Sequence, residues 1–279
     1  MNKFPDQNHT TESGPNTDDE RVSRRGVLKA GIAAGAGVAA LAIGAGRGVA
    51  RPGADEKTAR LPKGLVLDRK DTALVVVDPQ NEVLSEKGLI WELTGESVKE
   101  NRTVENLVRL FKAAKDQGYG VFISPHYLYP TDQAWQFGGE IEREMLEGKE
   151  FWRAGPLTLT GFSGSGADWL ERFKRYIEDG KTVVASPHKV MGPQVNDLVL
   201  QLRKRRINKV VLAGMMANLC VESHLRELLE QGFEVAVVKD ATAGPRHPKL
   251  GDGYKAALVN YAYMAGAVLT TDDAVKAMA

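Results

Sequence analysis

The sequence predicts an α/β protein: a single three-layer domain built on a mostly parallel, six-stranded sheet. Two observations carry this expectation. Short apolar runs alternate along the chain with amphipathic stretches of helical period. That rhythm places helices on both faces of a parallel sheet. The runs are continuously apolar and rich in β-branched residues, as strands covered on both faces must be. Composition agrees, since 43% hydrophobic and 26% charged residues suit a folded globular chain and are too apolar for a disordered one.

The elements follow in order. Ala73-Leu74-Val75-Val76-Val77 is the first strand and ends at Asp78. Val104, Leu107, Val108 and Phe111 recur at helical spacing, and Gly118 stands where that helix stops. Residues 120–124 form the second strand and residues 182–185 the third. Val195, Leu198, Val199 and Leu202 mark a helix, and residues 209–213 a fourth strand. Val221, Leu225, Leu228 and Leu229 mark the next helix, closed by Gly232. Residues 234–238 read as the fifth strand, 253–265 as a helix and 267–270 as the sixth strand. Right-handed crossovers then give a Rossmann-like arrangement. Residues 130–181 break the rhythm with Trp135, Phe137, Phe151, Trp152, Phe162 and Trp169 set among glycines. An insertion of this length is a candidate lid or binding loop, or a surface excursion folded on its own aromatics.

The N-terminus has a different character. Ser23-Arg24-Arg25-Gly26-Val27-Leu28-Lys29 precedes a charge-free stretch of small residues from Ala30 to Gly46. That stretch is too short and too weakly apolar for a membrane span. A basic flank, a short apolar stretch and small residues such as Gly48 and Ala50 read as a cleavable signal. It resembles the twin-arginine export signal, with an uncleaved anchor as the alternative. The expected organisation is a signal at 1–50, a polar linker at 51–68 and the folded domain at 69–279. Export through the twin-arginine machinery to a bacterial periplasmic or extracytoplasmic location follows as an expectation. A net charge of +1 gives no support to a nucleic-acid partner. The single cysteine, Cys220, excludes an intrachain disulfide and a multi-cysteine metal site.

In open α/β sheets, ligands bind beyond the carboxyl ends of the strands. Those ends carry Asp78-Pro79-Gln80-Asn81, Ser124-Pro125-His126, Ser186-Pro187-His188-Lys189 and Gly214-Met215-Met216-Ala217-Asn218-Leu219-Cys220. A carboxylate, a lysine and the thiol are therefore expected on one rim. Cys220 sits where a loop enters a helix, and a helix N-terminus or a nearby ammonium favours thiolate. A small buried hydrophobe is the plainer reading of a lone cysteine. Asp78, at the end of an apolar strand, needs a partner or serves as a helix cap. His126 and His188 read as structural or substrate contacts. The histidines show no metal-ligand spacing, so no metal site is expected.

Three motifs in this order carry a family resemblance. They are Val75-Val76-Val77-Asp78-Pro79-Gln80-Asn81, Pro187-His188-Lys189, and Gly214 through Cys220-Val221, with Asp240-Ala241 fitting as well. Over residues 70–275 the chain resembles the isochorismatase-like cysteine hydrolases, which include nicotinamidases, N-carbamoylsarcosine amidohydrolases and ureidoacrylate hydrolases. The resemblance implies a catalytic triad of Asp78, Lys189 and Cys220. Cys220 would attack an amide or carbamoyl carbonyl, Asp78 would carry the proton, and Lys189 would place positive charge near both. Backbone N–H groups of Cys220 and of Met216 or Ala217 would bind the oxyanion, with a cis peptide at Met215–Met216. A thioester hydrolysed by water would follow. The implied function is hydrolysis of a C–N bond in a small amide, carbamoyl or ureido compound, without cofactor, by a homo-dimer or homo-tetramer.

The sequence also departs from the family pattern. Ala217 stands where many relatives have Thr. The metal-binding residues of nicotinamidases after strand one are missing. An isochorismatase-type vinyl-ether hydrolase is the alternative, disfavoured by the presence of Cys220. An exported binding or redox-responsive protein using Cys220 as an oxidisable thiol is another. For substrate contacts the rim offers Gln80, His126 and Asn218, and the insertion offers Trp135 and Trp152 as aromatic walls.

Overall fold

The computed structural model describes residues 66–279, so the expected signal and nearly all of the linker lie outside the described residues. The sheet is built from β1 (Thr72–Val77), β2 (Gly120–Ser124), β3 (Val183–Val184), β4 (Lys209–Met215) and β5 (Glu234–Ala243). A short antiparallel pair, β6 (Arg246–His247) and β7 (Gly251–Asp252), stands apart, and β8 (Ala267–Leu269) completes the main sheet. Its order is β3-β2-β1-β4-β5-β8, and every pairing in it is parallel. The expectation of a mostly parallel sheet thus becomes a fully parallel one.

The continuous apolar runs have the physical cause expected of them. Every residue of the central strand β1 is buried. Leu74 and Val76 face a core that includes Leu107, Leu110 and Phe111 of α3 (Thr103–Asp116). Ala73, Val75 and Val77 face the opposite core, with Leu198, Leu225, Leu228 and Tyr261. Alternate side chains of a strand point to opposite faces, so a two-sided core demands apolar residues at every position. The first core also takes residues from α1 (Asn81–Leu84), α2 (Trp91–Asn101), α5 (Glu171–Ile177) and α9 (Thr271–Met278). The second is closed by α6 (Leu198–Lys204), α7 (Glu222–Glu230) and α8 (Gly253–Met264). The insertion holds α4 (Glu140–Gly148).

Several boundaries differ from the sequence reading. The third strand shrinks to two residues because it is an edge strand, with one neighbour and Val184 44% exposed. Its chain nevertheless stays beside the exit of β2: the N–H groups of Ala185 and His188 donate to Ile123 O and Pro125 O at 2.9 Å. Val195 lies in a 3-10 turn and is exposed, so the helix begins at Leu198. The fifth strand continues to Ala243 past an irregularity opposite Leu212 and Gly214. Gly214 has φ 113°, and a Cβ there would lie 2.0 Å from Val77 O. Only glycine allows β1 and β4 to end this close together.

The aromatic insertion does not fold on its own aromatics alone. Phe151, Trp169, Phe173 and Ile177 are buried in the first core, and Phe173 packs on Phe111 at 5.4 Å. Trp169 forms a bridge with Gln80, and Leu170 N–H donates to Pro79 O at 3.1 Å. The segment is therefore fastened across the exit of β1. Among the described residues no helix is long and apolar enough to cross a membrane.

Candidate active site

Four strand exits converge on one buried cluster. β1 delivers Asp78, β2 delivers His126, and the path beyond β3 delivers His188. β4 passes through the cis peptide Met215–Met216 into a π-turn, Ala217–Val221, that carries Cys220. All four residues are buried, and each offers a donor atom within 4.8 Å of those of the others. Asp78 has φ 48°, a left-handed conformation uncommon for a residue with a side chain. Its N–H donates to Ser124 O at 3.1 Å, which holds the turn in place.

The carboxylate of Asp78 has His188 as its hydrogen-bond donor and Cys220 as a near neighbour. His188 Nε2 donates to Asp78 Oδ1 at 2.8 Å. The Cys220 sulfur stands within 4.8 Å of this carboxylate, and Sγ lies 3.9 Å from Val190 O. Cys220 is positioned from behind by a chain of polar groups. Asn196 Nδ2 donates to Ser124 Oγ at 2.9 Å, Ser124 Oγ meets His224 Nε2 at 2.8 Å, and His224 Nδ1 meets Cys220 O at 2.7 Å. Tyr261 donates its hydroxyl proton to Ala217 O at 2.5 Å and fixes the start of the turn.

The electrostatics follow from burial. Loss of hydration pushes Asp78 up to about 6, opposed by the nearby His126 and His224 and by Cys220. Burial holds His126, His188 and His224 down to about 3. Burial, and then the adjacent Asp78 carboxylate, push the Cys220 thiol well above its ordinary range. At neutral pH the site therefore holds a carboxylate, neutral imidazoles and a protonated thiol. This corrects the expectation of a thiolate at a helix N-terminus and weighs against a redox sensor, which needs a low-pKa thiol.

Lys189 requires the largest correction. Its ammonium does not join Asp78 and Cys220. It pairs with Asp132 Oδ2 at 2.5 Å and lies 3.9 Å from the centre of the Tyr129 ring. Successive side chains of an extended chain point to opposite sides. His188, bridged in parallel register to His126, takes the inward direction, and Lys189 takes the other. Lys189 thus ties the start of the insertion to the exit of β3. Asp132 is itself fixed there, accepting from Tyr129 N–H at 2.9 Å.

The remaining predicted contacts divide. His126 belongs to the cluster; its ring stacks on Phe151 at 4.4 Å, and Nε2 donates to Lys189 O at 2.7 Å. Gln80 is fully committed to backbone: its amide donates to His126 O and Ala167 O and accepts from His126 N–H. It shapes the site and has no free group for a substrate. Asn218 is half-buried and leaves Oδ1 buried without a partner. Trp135 is 37% exposed at the end of a 3-10 turn, and Trp152 is half-buried beneath the Lys149 ammonium.

Sequence reading underrated His188 and missed His224, Asn196 and Asp132. The signal for His188 was present. The two Ser-Pro-His exits are in register in space, and their rings stand 4.8 Å apart. His224 and Asn196 act only through contacts between distant elements, which no spacing displays.

Comparison with known proteins identifies the family. The isochorismatase domain family matches residues 72–273. The chain is 28% identical over 221 residues to the ureidoacrylate amidohydrolase RutB of Variovorax paradoxus, covering 78% of this chain and 85% of that protein. A cysteine hydrolase from Pseudomonas syringae superposes with a TM-score of 0.63 at 19% identity, covering 80% of this chain and 98% of that one. N-carbamoylsarcosine amidase from Thermoplasma acidophilum superposes with a TM-score of 0.52 at 20% identity, covering 72% and 97%. The chain belongs to the isochorismatase family. It is a hydrolase of that family.

The buried histidines make folding sensitive to acid. Each folded pKa lies below the ordinary 6.5, so the unfolded chain binds these protons first and stability falls as pH drops below about 6.5. Asp78 works in the other direction between 3.8 and about 6, where the folded state holds the extra proton. Near pH ~5 the unfolded chain holds about two more protons, a slope of roughly 2–3 kcal/mol per pH unit. Urea midpoints should therefore fall steeply from pH 7 to 5. Equal midpoints would show that the imidazoles are not held neutral.

Proposed function

We propose that the protein hydrolyses a C–N bond of a small amide, carbamoyl or ureido compound through a thioester on Cys220. The observation that carries the reading is the buried Asp78 carboxylate within 4.8 Å of the Cys220 sulfur, with His188 on the same carboxylate. The names of the relatives, an amidohydrolase and an amidase, support the class of bond.

The steps follow from the arrangement. The neutral thiol gives its proton to Asp78 as Sγ attacks the carbonyl carbon. A carboxylate raised to about 6 is a better base than an ordinary one and still ionised at neutral pH. Backbone N–H groups of Met216, Ala217 and Cys220 receive the developing oxyanion. Asp78 then returns the proton to the leaving nitrogen, and the C–N bond breaks to leave a thioester. Water attacks next, with Asp78 as base, and the acid leaves as the thiol is restored. His188 is a positioning residue: donating to Oδ1, it turns the carboxylate toward the thiol.

A panel of small amides, carbamoyl compounds and ureides tests this by release of ammonia or amine. The expected result is release by the wild type, none by Cys220→Ala, and a substrate-derived acyl adduct on Cys220 after rapid acid quench. Release that survives Cys220→Ala would overturn the reading.

A further inference from the structure

The same cluster has a property that hydrolysis does not use. His126 and His188 each keep a buried Nδ1 with no hydrogen-bond partner. Buried polar atoms without partners are rare and costly. In both rings the other nitrogen is already engaged, His126 with Lys189 O at 2.7 Å and His188 with Asp78 Oδ1 at 2.8 Å. Imidazoles that bind metals show this pattern: one nitrogen donates to a carbonyl or carboxylate and the other is left as a lone pair.

We propose that Asp78, His126, His188 and Cys220 form a site for a thiophilic divalent cation, Zn2+ above all, whose binding blocks the nucleophile. Two imidazoles, one sulfur and one carboxylate are a complete tetrahedral donor set for zinc. The donor atoms lie within 4.8 Å of one another, and a zinc site needs separations of ~3.3–3.8 Å, so side-chain adjustment closes the shell. The charge balances. Zn2+ binds, the Cys220 S–H bond breaks, its proton leaves to solvent, and a Zn–S bond forms. One thiolate and one carboxylate then neutralise the ion in a buried place.

The selection among metals follows from the donors. Nitrogen and sulfur favour Zn2+ over Mg2+ or Ca2+, which prefer oxygen shells. The site differs from one of oxygen ligands at a rim, because its occupation consumes the thiol itself.

The test uses the full-length protein after treatment with chelator, titrated with ZnCl2 in a calorimeter and separately with CoCl2. The expected result is one ion per chain, release of about one proton, and a cobalt–thiolate charge-transfer band. Cys220→Ser should abolish the band, and His126→Gln should weaken zinc at least about tenfold. If His126→Gln fails to fold, protection of wild-type Cys220 from alkylation by Zn2+ gives the same information. Absence of saturable binding, or binding unchanged in Cys220→Ser, would overturn the site. Hydrolysis that requires added Zn2+ would overturn the blocking role. Amide hydrolysis by the chelated enzyme is scored separately, so failure of either proposal is visible without the other.

Discussion

Cys220→Ala and Asp78→Asn should each lower hydrolysis by on the order of 10^4-fold or more, with different consequences for the fold. The expected loss is large because in the proposed mechanism the two groups act as a unit: one supplies the electron pair and the other the place for its proton. Asparagine keeps the shape of Asp78 but cannot accept a proton. For stability the sign is worked from the folded pKa. Asp78 is raised from 3.8 to about 6, so its contribution is present below 3.8 and lost as pH rises through about 6. At neutral pH the buried carboxylate is a cost of order 1–3 kcal/mol. Asp78→Asn should therefore unfold at higher denaturant than the wild type at pH 7 while being inactive. Cys220→Ala removes one small buried side chain and should be neutral or slightly destabilising. Steady-state rates and urea melts on the same preparations check both. An active Asp78→Asn enzyme would remove the base from the mechanism.

The second large effect separates two adjacent residues. His188→Ala should lower kcat by about 10^2-fold with little change in KM, because the carboxylate loses the donor that aims it. His188→Gln, whose amide can still donate, recovers part of the rate, which a purely structural role would not produce. Lys189→Ala should leave kcat within about threefold, because the ammonium pairs with Asp132. Its cost falls on the fold, where Asp132 is left buried without its ammonium partner, at about 1–3 kcal/mol. The reverse pattern, with Lys189 essential and His188 dispensable, would restore the lysine to the catalytic role that the resemblance implied.

That reversal of neighbours also shows what the sequence could and could not display. The sheet was legible because burial on both faces forces continuous apolar runs, and β1, β2 and β4 announce themselves that way. The edge strand β3 was overread because its two paired residues carry no such constraint. Asp78 and Cys220 were legible because strand ends and the glycine-led loop fix where they sit. The choice between His188 and Lys189 was not, since it turns on which of two successive side chains faces inward. That is set by the bridge of His188 to His126, a contact between segments 62 residues apart in sequence. The thiol's protonation state turns on contacts of the same kind. Position at a helix start argues for thiolate, but burial and the adjacent Asp78 carboxylate push the thiol the other way.

One measurement tests the central claim, that a neutral thiol rests against an ionised Asp78. Cys220 is the sole cysteine, so the ultraviolet absorbance of its thiolate can be titrated without ambiguity in the wild type, Asp78→Asn and Lys189→Ala. The wild-type thiol should stay protonated through the neutral range. Asp78→Asn should lower its pKa, because the repelling carboxylate is gone, and Lys189→Ala should leave it unchanged. A wild-type thiolate already present near neutral pH and lost in Lys189→Ala would contradict the account.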